Sequence, residues 1–83
     1  MNAQLKSPLK VGIGGLGAIG LALARRLDEG IDGLTLIAVS ARDKDAARLR
    51  LSGLRQQVPV MALSELAPVS DVVVECAPAA VFN

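Results

Sequence analysis

An open parallel α/β sheet is the fold class this sequence predicts, on three observations. Short apolar runs alternate with stretches of helical apolar spacing along the 83 residues, and such alternation implies parallel strands joined by right-handed crossovers. The first apolar run leads straight into a glycine-rich turn, Leu9 to Gly20, reading L-K-V-G-I-G-G-L-G-A-I-G. The second, Leu34 to Val39, is apolar throughout, as a parallel strand covered on both faces should be.

Met1 to Pro8 is polar and expected to fray. The first strand is expected over Leu9 to Gly14. Two registers of G-x-G-x-x-G fit the glycines, one on Gly12, Gly14 and Gly17, the other on Gly15, Gly17 and Gly20. The second leaves a strand of normal length ahead of the turn, whereas the first starts the turn too early. In the second register Gly15 allows the tight turn. Gly17 lets the backbone approach a phosphate where a Cβ would collide, and Gly20 lets the helix lie close against the strand. Gly12 then lies within the strand and not in the turn, so Gly12→Val should be far milder than Gly17→Val.

The first helix is expected over Leu16 to Glu29, with Ile19, Ala22, Leu23 and Leu27 toward the sheet and Arg25 and Asp28 toward water. Gly30 is placed to end it in a left-handed conformation. Asp28 and Glu29 sit unfavourably at the negative end of the helix dipole. Asp32-Gly33 is a turn signal, and the second strand follows over Leu34 to Val39. Ser40 to Asp43 forms the next loop, and Asp43 can cap a second helix over Lys44 to Leu51, ending near Gly53.

Val58-Pro59-Val60 reads as a short third strand, and Pro59, which cannot donate to a ladder, assigns it to a sheet edge. Ser64 to Leu66 reads as a single helical turn stopped by Pro68. Asp71 to Cys76 is the fourth strand, with Val72, Val73 and Val74 as its buried core. Pro78 suits the first turn of another helix. The expected strand order is 3-2-1-4, a Rossmann-type sheet truncated after its fourth strand. Residues 9–83 then form part of a dinucleotide-binding domain whose remainder, with a catalytic domain, lies beyond the chain.

Composition narrows the function classes. Apolar residues make up 52% and charged residues 20% of the chain, which marks a folding sequence rather than a disordered one. Phe82 is the only aromatic, so Val, Leu, Ile and Ala must build the core. A net charge of +1, with no basic cluster longer than Arg25-Arg26, gives no footprint for nucleic acid or an anionic membrane. The lone Cys76 can form no internal disulfide, which fits a reducing cytoplasm. With no His, a His-based acid/base pair, triad or zinc site is excluded within these residues. Val11 to Ala24 imitates the apolar part of a signal peptide, but glycines interrupt it and Arg25-Arg26 occupies the cleavage position. It is also too short to span a bilayer.

In sheets of this kind the ligand sits at the carboxyl ends of the strands, beside the switch between strands one and four. Three segments meet there: Gly15 to Ile19, Ser40 to Arg42, and Cys76-Ala77. Beyond the turn at Gly15, amides near Leu16, Gly17, Ala18 and Ile19 lack intrahelical partners and can point at the pyrophosphate of a dinucleotide. The end of strand two reads the adenosine ribose. NAD proteins usually carry a carboxylate there, about 20 residues past the glycines. Here the position is Ala41, between Ser40 and Arg42, which favours a 2′-phosphate and hence NADP. Asp43 keeps NAD open if the loop shifts, and Arg42 read simply as a solvated loop residue is the competing view. At the end of strand four, Glu75 can orient a group near the nicotinamide or pair with a residue outside the chain. Cys76 reads as a small buried hydrophobe rather than a nucleophile, having no basic partner nearby.

The runs V-G-I-G-G-L-G-A-I-G, L-I-A-V-S-A-R-D and S-D-V-V-V-E-C-A-P resemble the N-terminal part of the L-aspartate dehydrogenases, over nearly the whole chain from Leu9 on. The first two are shared with homoserine dehydrogenases, dihydrodipicolinate reductases and glucose-fructose oxidoreductase-like proteins; V-V-V-E-C-A tips the comparison. The resemblance implies NAD(P)-dependent oxidative deamination: hydride leaves the α-carbon of L-aspartate for the nicotinamide, and the iminoaspartate formed hydrolyses to oxaloacetate and ammonia or, in some organisms, feeds NAD biosynthesis. It also implies a longer parent, a homo-oligomer whose second domain holds the oligomer interface, most of the substrate pocket and a catalytic His. The chain by itself is then expected to be inactive. Homoserine dehydrogenase is the nearest competitor within the enzymes, and a non-catalytic nucleotide-binding redox sensor is the rival from another class.

Overall fold

Residues 8–76 are described by a computed structural model. Strands β1 (Leu9–Gly14), β2 (Leu34–Ser40), β3 (Val60–Met61) and β4 (Val72–Glu75) form one parallel sheet in the order β3-β2-β1-β4. Helices α1 (Ala18–Glu29), α2 (Lys44–Leu51) and α3 (Leu63–Val69) connect them in turn. This is the Rossmann-like arrangement expected of the sequence, with Pro59 leading into the edge strand β3. The reading of Pro78 falls outside the described residues.

The pleat assigns the helices to faces. Val11 and Ile13 alternate with Gly12 and Gly14 along β1. Val11 and Ile13 join Leu36 and Val39 of β2, Ala24 and Leu27 of α1, and Ala47 and Leu51 of α2 in one buried cluster. Gly12 turns the other way, toward Leu66 and Ser70 at α3. Leu36 and Val39, three residues apart, share a face because the register with β1 skips Ile37: Val11 pairs with Leu36 and Gly12 with Ala38. Complete burial of Ile13 contributes roughly 1.5–3 kcal/mol.

Several expected boundaries move. Helix α1 starts at Ala18 rather than Leu16, with Gly17 as its N-cap. Its buried residues are Gly20, Ala24 and Leu27, so Ile19 and Ala22 do not face the sheet; Ile19 is 75% exposed. Gly20 sets that orientation, because only its bare Cα fits against the Gly15 carbonyl oxygen. Asp28 does not simply face water: its carboxylate accepts the amides of Arg55 (2.8 Å) and Gln56 (3.3 Å), tying down the loop after α2. Gly30 ends α1 with its amide on the Arg26 carbonyl; its φ is positive, but its φ of 120° and ψ of 122° are not the left-handed helical pair.

Ser40 is the last residue of β2 rather than the first of a loop. Strand β3 is Val60–Met61, one residue beyond Pro59. Helix α3 does not stop at Pro68 but contains it. Pro68 has no N–H to offer the Ser64 carbonyl, and the helix is secured instead at its start, where the Glu65 carboxylate accepts the Ala62 amide at 2.9 Å. Strand β4 is shorter than Asp71 to Cys76, although both flanking residues bond to β1: the Asp71 amide to the Lys10 carbonyl and the Cys76 amide to the Gly14 carbonyl, each at 2.8 Å. Of its valines only Val74 packs, half-buried, against the core. Val72 and Val73 are 42% and 39% exposed, because among the described residues β4 pairs with β1 alone.

Candidate functional site

The carboxyl ends of three strands lie side by side. Gly14 pairs with Ser40 on one side and with Glu75 on the other. Above them opens a cavity of about 750 Å³, lined by Gly14 to Gly17, Ser40 to Asp43, Ala46, Ala47, Arg50, Leu63 and Glu75. Gly15, Leu16, Gly17, Ser40, Ala41 and Arg42, expected from two separate stretches of sequence, therefore line one cavity.

Backbone chemistry shapes the glycine turn. Gly15 has φ of 103°, which excludes ordinary side chains, and its amide donates to the Ser40 carbonyl at 3.1 Å, joining the turn to the end of β2. Gly17 caps α1 without a side chain, and the first α1 turn contains no acidic residue. The Leu21 amide is the first to find a helical acceptor, the Gly17 carbonyl at 2.9 Å. The amides of Ala18 and Ile19, in the first turn, are left for an external acceptor at the positive end of the dipole. Ala18 and Ile19 do not line the cavity with their side chains, so amides are what they can contribute.

Gly17 differs from its neighbours. A Cβ on Gly20 would strike the Gly15 carbonyl oxygen, whereas a Cβ on Gly17 meets nothing within 4 Å among the described residues. Its φ of −88° suits any residue. Among the described residues nothing requires glycine at 17, so the open space beside it is a cradle that a side chain would fill.

At the end of β2, Ser40 is 95% buried, with a relative exposure of 5%. Arg42 is exposed on the cavity rim. Asp43 also lines the cavity, but its Oδ1 accepts the Ala46 amide at 3.0 Å and so caps α2 as expected. Across the cavity Glu75 is exposed, close enough that a Cβ on Gly14 would lie 2.9 Å from its Oε1. Cys76 is half-buried against the core and does not line the cavity. Burial first, and the Glu75 charge second, push its thiol pKa up, the reverse of what activates a nucleophile. Ala77 lies outside the described residues.

Sequence reasoning missed Arg50. It reaches back 34 residues from α2, its Nη1 donating to the Leu16 carbonyl at 2.9 Å. A signal existed: Ala46 and Arg50 are four apart on the helix that Asp43 caps, hence on one face. Among the described residues no three His, Cys, Asp or Glu side chains gather to hold a metal, and no helix is long and apolar enough to cross a membrane.

Comparison with known proteins agrees with this geometry. The family described as the homoserine dehydrogenase NAD-binding domain matches residues 15–82. An L-aspartate dehydrogenase of Bradyrhizobium diazoefficiens is 47% identical over 72 residues, 87% of this chain and 25% of that protein. L-aspartate dehydrogenase 3 of Bordetella bronchiseptica is 47% identical over 78 residues, 93% of this chain and 29% of that protein. The chain thus spans little more than a quarter of the length of these relatives, and the resemblance read from its motifs is borne out.

Proposed function

The chain belongs to the homoserine dehydrogenase NAD-binding domain family, and from that premise we propose that it is the dinucleotide-binding part of an L-aspartate dehydrogenase. Gly17 carries the cofactor reading: an open cradle beside amides with no helical partner fits a pyrophosphate approaching the backbone. The names of the two relatives support aspartate as substrate. In this reading residues 9–83 form part of the domain. The substrate pocket, oligomer interface and catalytic residues belong to the rest of a cytoplasmic, homo-oligomeric parent.

Each element then has a task in binding. Amides from Leu16, Gly17, Ala18 and Ile19 hold the pyrophosphate, and Gly15, whose own amide is tied to the Ser40 carbonyl, makes the turn that presents them. Ser40, Ala41 and Arg42 receive the adenosine ribose, and Arg42 favours a 2′-phosphate, so NADP over NAD. At the end of β4 Glu75 lines the nicotinamide side of the cavity, and Cys76, packed on the core behind it, supports the strand end without reacting. The bound dinucleotide supplies the acceptor for hydride from the α-carbon of aspartate; this chain fixes where that acceptor stands.

The test uses the full-length protein with L-aspartate or L-homoserine, each with NADP or NAD, followed at the absorbance of the reduced nicotinamide. Aspartate-dependent reduction is the expected result. Reduction with homoserine alone would move the protein to homoserine dehydrogenase, the reading favoured by the family description. Tight cofactor binding with neither substrate turned over would make it a nucleotide sensor.

A further inference from the structure

The carbonyl oxygens of the glycine turn each have a neighbour that keeps them occupied. The Gly15 carbonyl oxygen lies against Gly20, where a Cβ would collide with it. The Gly17 carbonyl accepts the Leu21 amide at 2.9 Å. Between them, the Leu16 carbonyl has no acceptor role in the helix, and its partner comes from another element: Arg50 of α2, whose Nη1 donates to it at 2.9 Å. Such a bond to a charged donor is stronger than a neutral one.

Peptide geometry gives this bond a consequence. The Leu16–Gly17 peptide is planar and trans, as are all described peptide bonds, so the Leu16 carbonyl and the Gly17 amide point in opposite directions. Whatever fixes one fixes the other. Gly17 needs such help because glycine restrains its own backbone least, and no atom of the described residues lies within 4 Å of where its Cβ would be. Arg50 also lines the same cavity, and its bond lies on the carbonyl side of that peptide, opposite the Gly17 amide. Arg50 is itself held in place by α2, whose start is capped by Asp43.

We infer that Arg50 is the positioning residue of the glycine turn: by holding the Leu16 carbonyl it sets the direction of the Gly17 amide and pre-organises the turn for a pyrophosphate. The inference rests on the cofactor reading above and deepens it. It also links the helix beside the adenosine end of the cavity to the turn at its phosphate end.

The test compares the full-length wild type with Arg50→Met and Arg50→Lys. ADP-ribose, which carries the pyrophosphate without the nicotinamide, is the titrated ligand, and amide hydrogen exchange is followed in the free protein. Arg50→Met should weaken ADP-ribose by about tenfold or more. It should also speed exchange at the Gly15 and Leu21 amides while leaving Ile13 and Val39 in the sheet as slow as before. Arg50→Lys, which keeps a donor and a charge, should recover most of both. Wild-type affinity in Arg50→Met would overturn the inference and leave the cofactor reading standing. Faster exchange at Ile13 and Val39 as well would also overturn it, making Arg50 a general support of the fold. A wild type that binds neither ADP-ribose nor NADP nor NAD would remove the cofactor reading and the inference together.

Discussion

Gly12 and Gly17 lie five residues apart and should respond oppositely to an added side chain. A Cβ on Gly12 would collide with the Ser70 hydroxyl and press Leu66 Cδ2 at 3.3 Å. Gly12→Val, expected to be far the milder change because Gly12 lies outside the turn, is the more costly of the two for packing. Its neighbours come from α3 and the residue after it, more than 50 positions away, and no local pattern announces them. Gly12→Val should cost about 1–3 kcal/mol by overpacking, read as a lower urea midpoint. Gly17→Val should change stability by no more than about 1 kcal/mol, as a replaced N-cap, yet abolish dinucleotide binding. Near-normal cofactor affinity in that variant would exclude the register built on Gly15, Gly17 and Gly20. Arg42 tests cofactor choice. Arg42→Ala should weaken NADP by about tenfold or more while sparing NAD, and added salt should erode the wild-type preference because the residue is exposed. Equal losses for both cofactors would show that Arg42 meets no 2′-phosphate. Cys76 should alkylate slowly at neutral pH, since a raised pKa leaves less thiolate at any given pH. Glu75→Gln removes the smaller, coulombic contribution and should speed the reaction; rapid alkylation of the wild type at pH 7 would contradict the environment described.

Among the elements, those whose ends carry their own chemistry were the legible ones. Helix α2 runs from Lys44 to Leu51 as expected, because Asp43 supplies a local cap. Strand β1 also has its expected limits, set by the glycine turn that follows. Helix α1 ended where expected but began two residues later, and its orientation was partly legible: apolar spacing put Leu23 and Leu27 inward, as they are, but also Ile19 and Ala22, whose places the contact of Gly20 with Gly15 gives to Gly20 and Ala24. Helix α3 outran its expected stop because Pro68 loses one bond in a short helix held by Glu65, by Leu66 and by packing on β1 and β2. The cavity followed the same division: Ser40, Ala41 and Arg42 were found from the strand end, but Arg50 acts across elements and had to be seen in place. The cap also connects α2 to the site. Asp43→Ala should cost about 1 kcal/mol, and Asp43→Asn much less, both read by denaturant titration. If Asp43→Ala left stability unchanged, the bond to the Ala46 amide would carry no weight.

For the whole molecule, the sheet is covered unevenly. Its β3 edge is two residues long and follows a proline, a combination that discourages pairing with another chain. The β4 edge is different. Val72 aligns with Val11 and Val73 with Gly12, so the two valines face opposite sides of the sheet, yet both are exposed and no charge separates them. An apolar strand with an open edge is a template for further pairing. The 83-residue chain prepared alone should therefore self-associate through β4 and melt at low temperature, since so small a sheet buries a modest share of its surface. It should show no dehydrogenase activity. The variant that tests the route is Val73→Lys, which places a charge on the α3 face of β4 without touching the glycine turn. Sedimentation of both chains over a concentration series should show association in the parent and monomer in Val73→Lys. A parent chain that stays monomeric at high concentration and melts cooperatively at high temperature would mean that the valines of β4 are covered in solution.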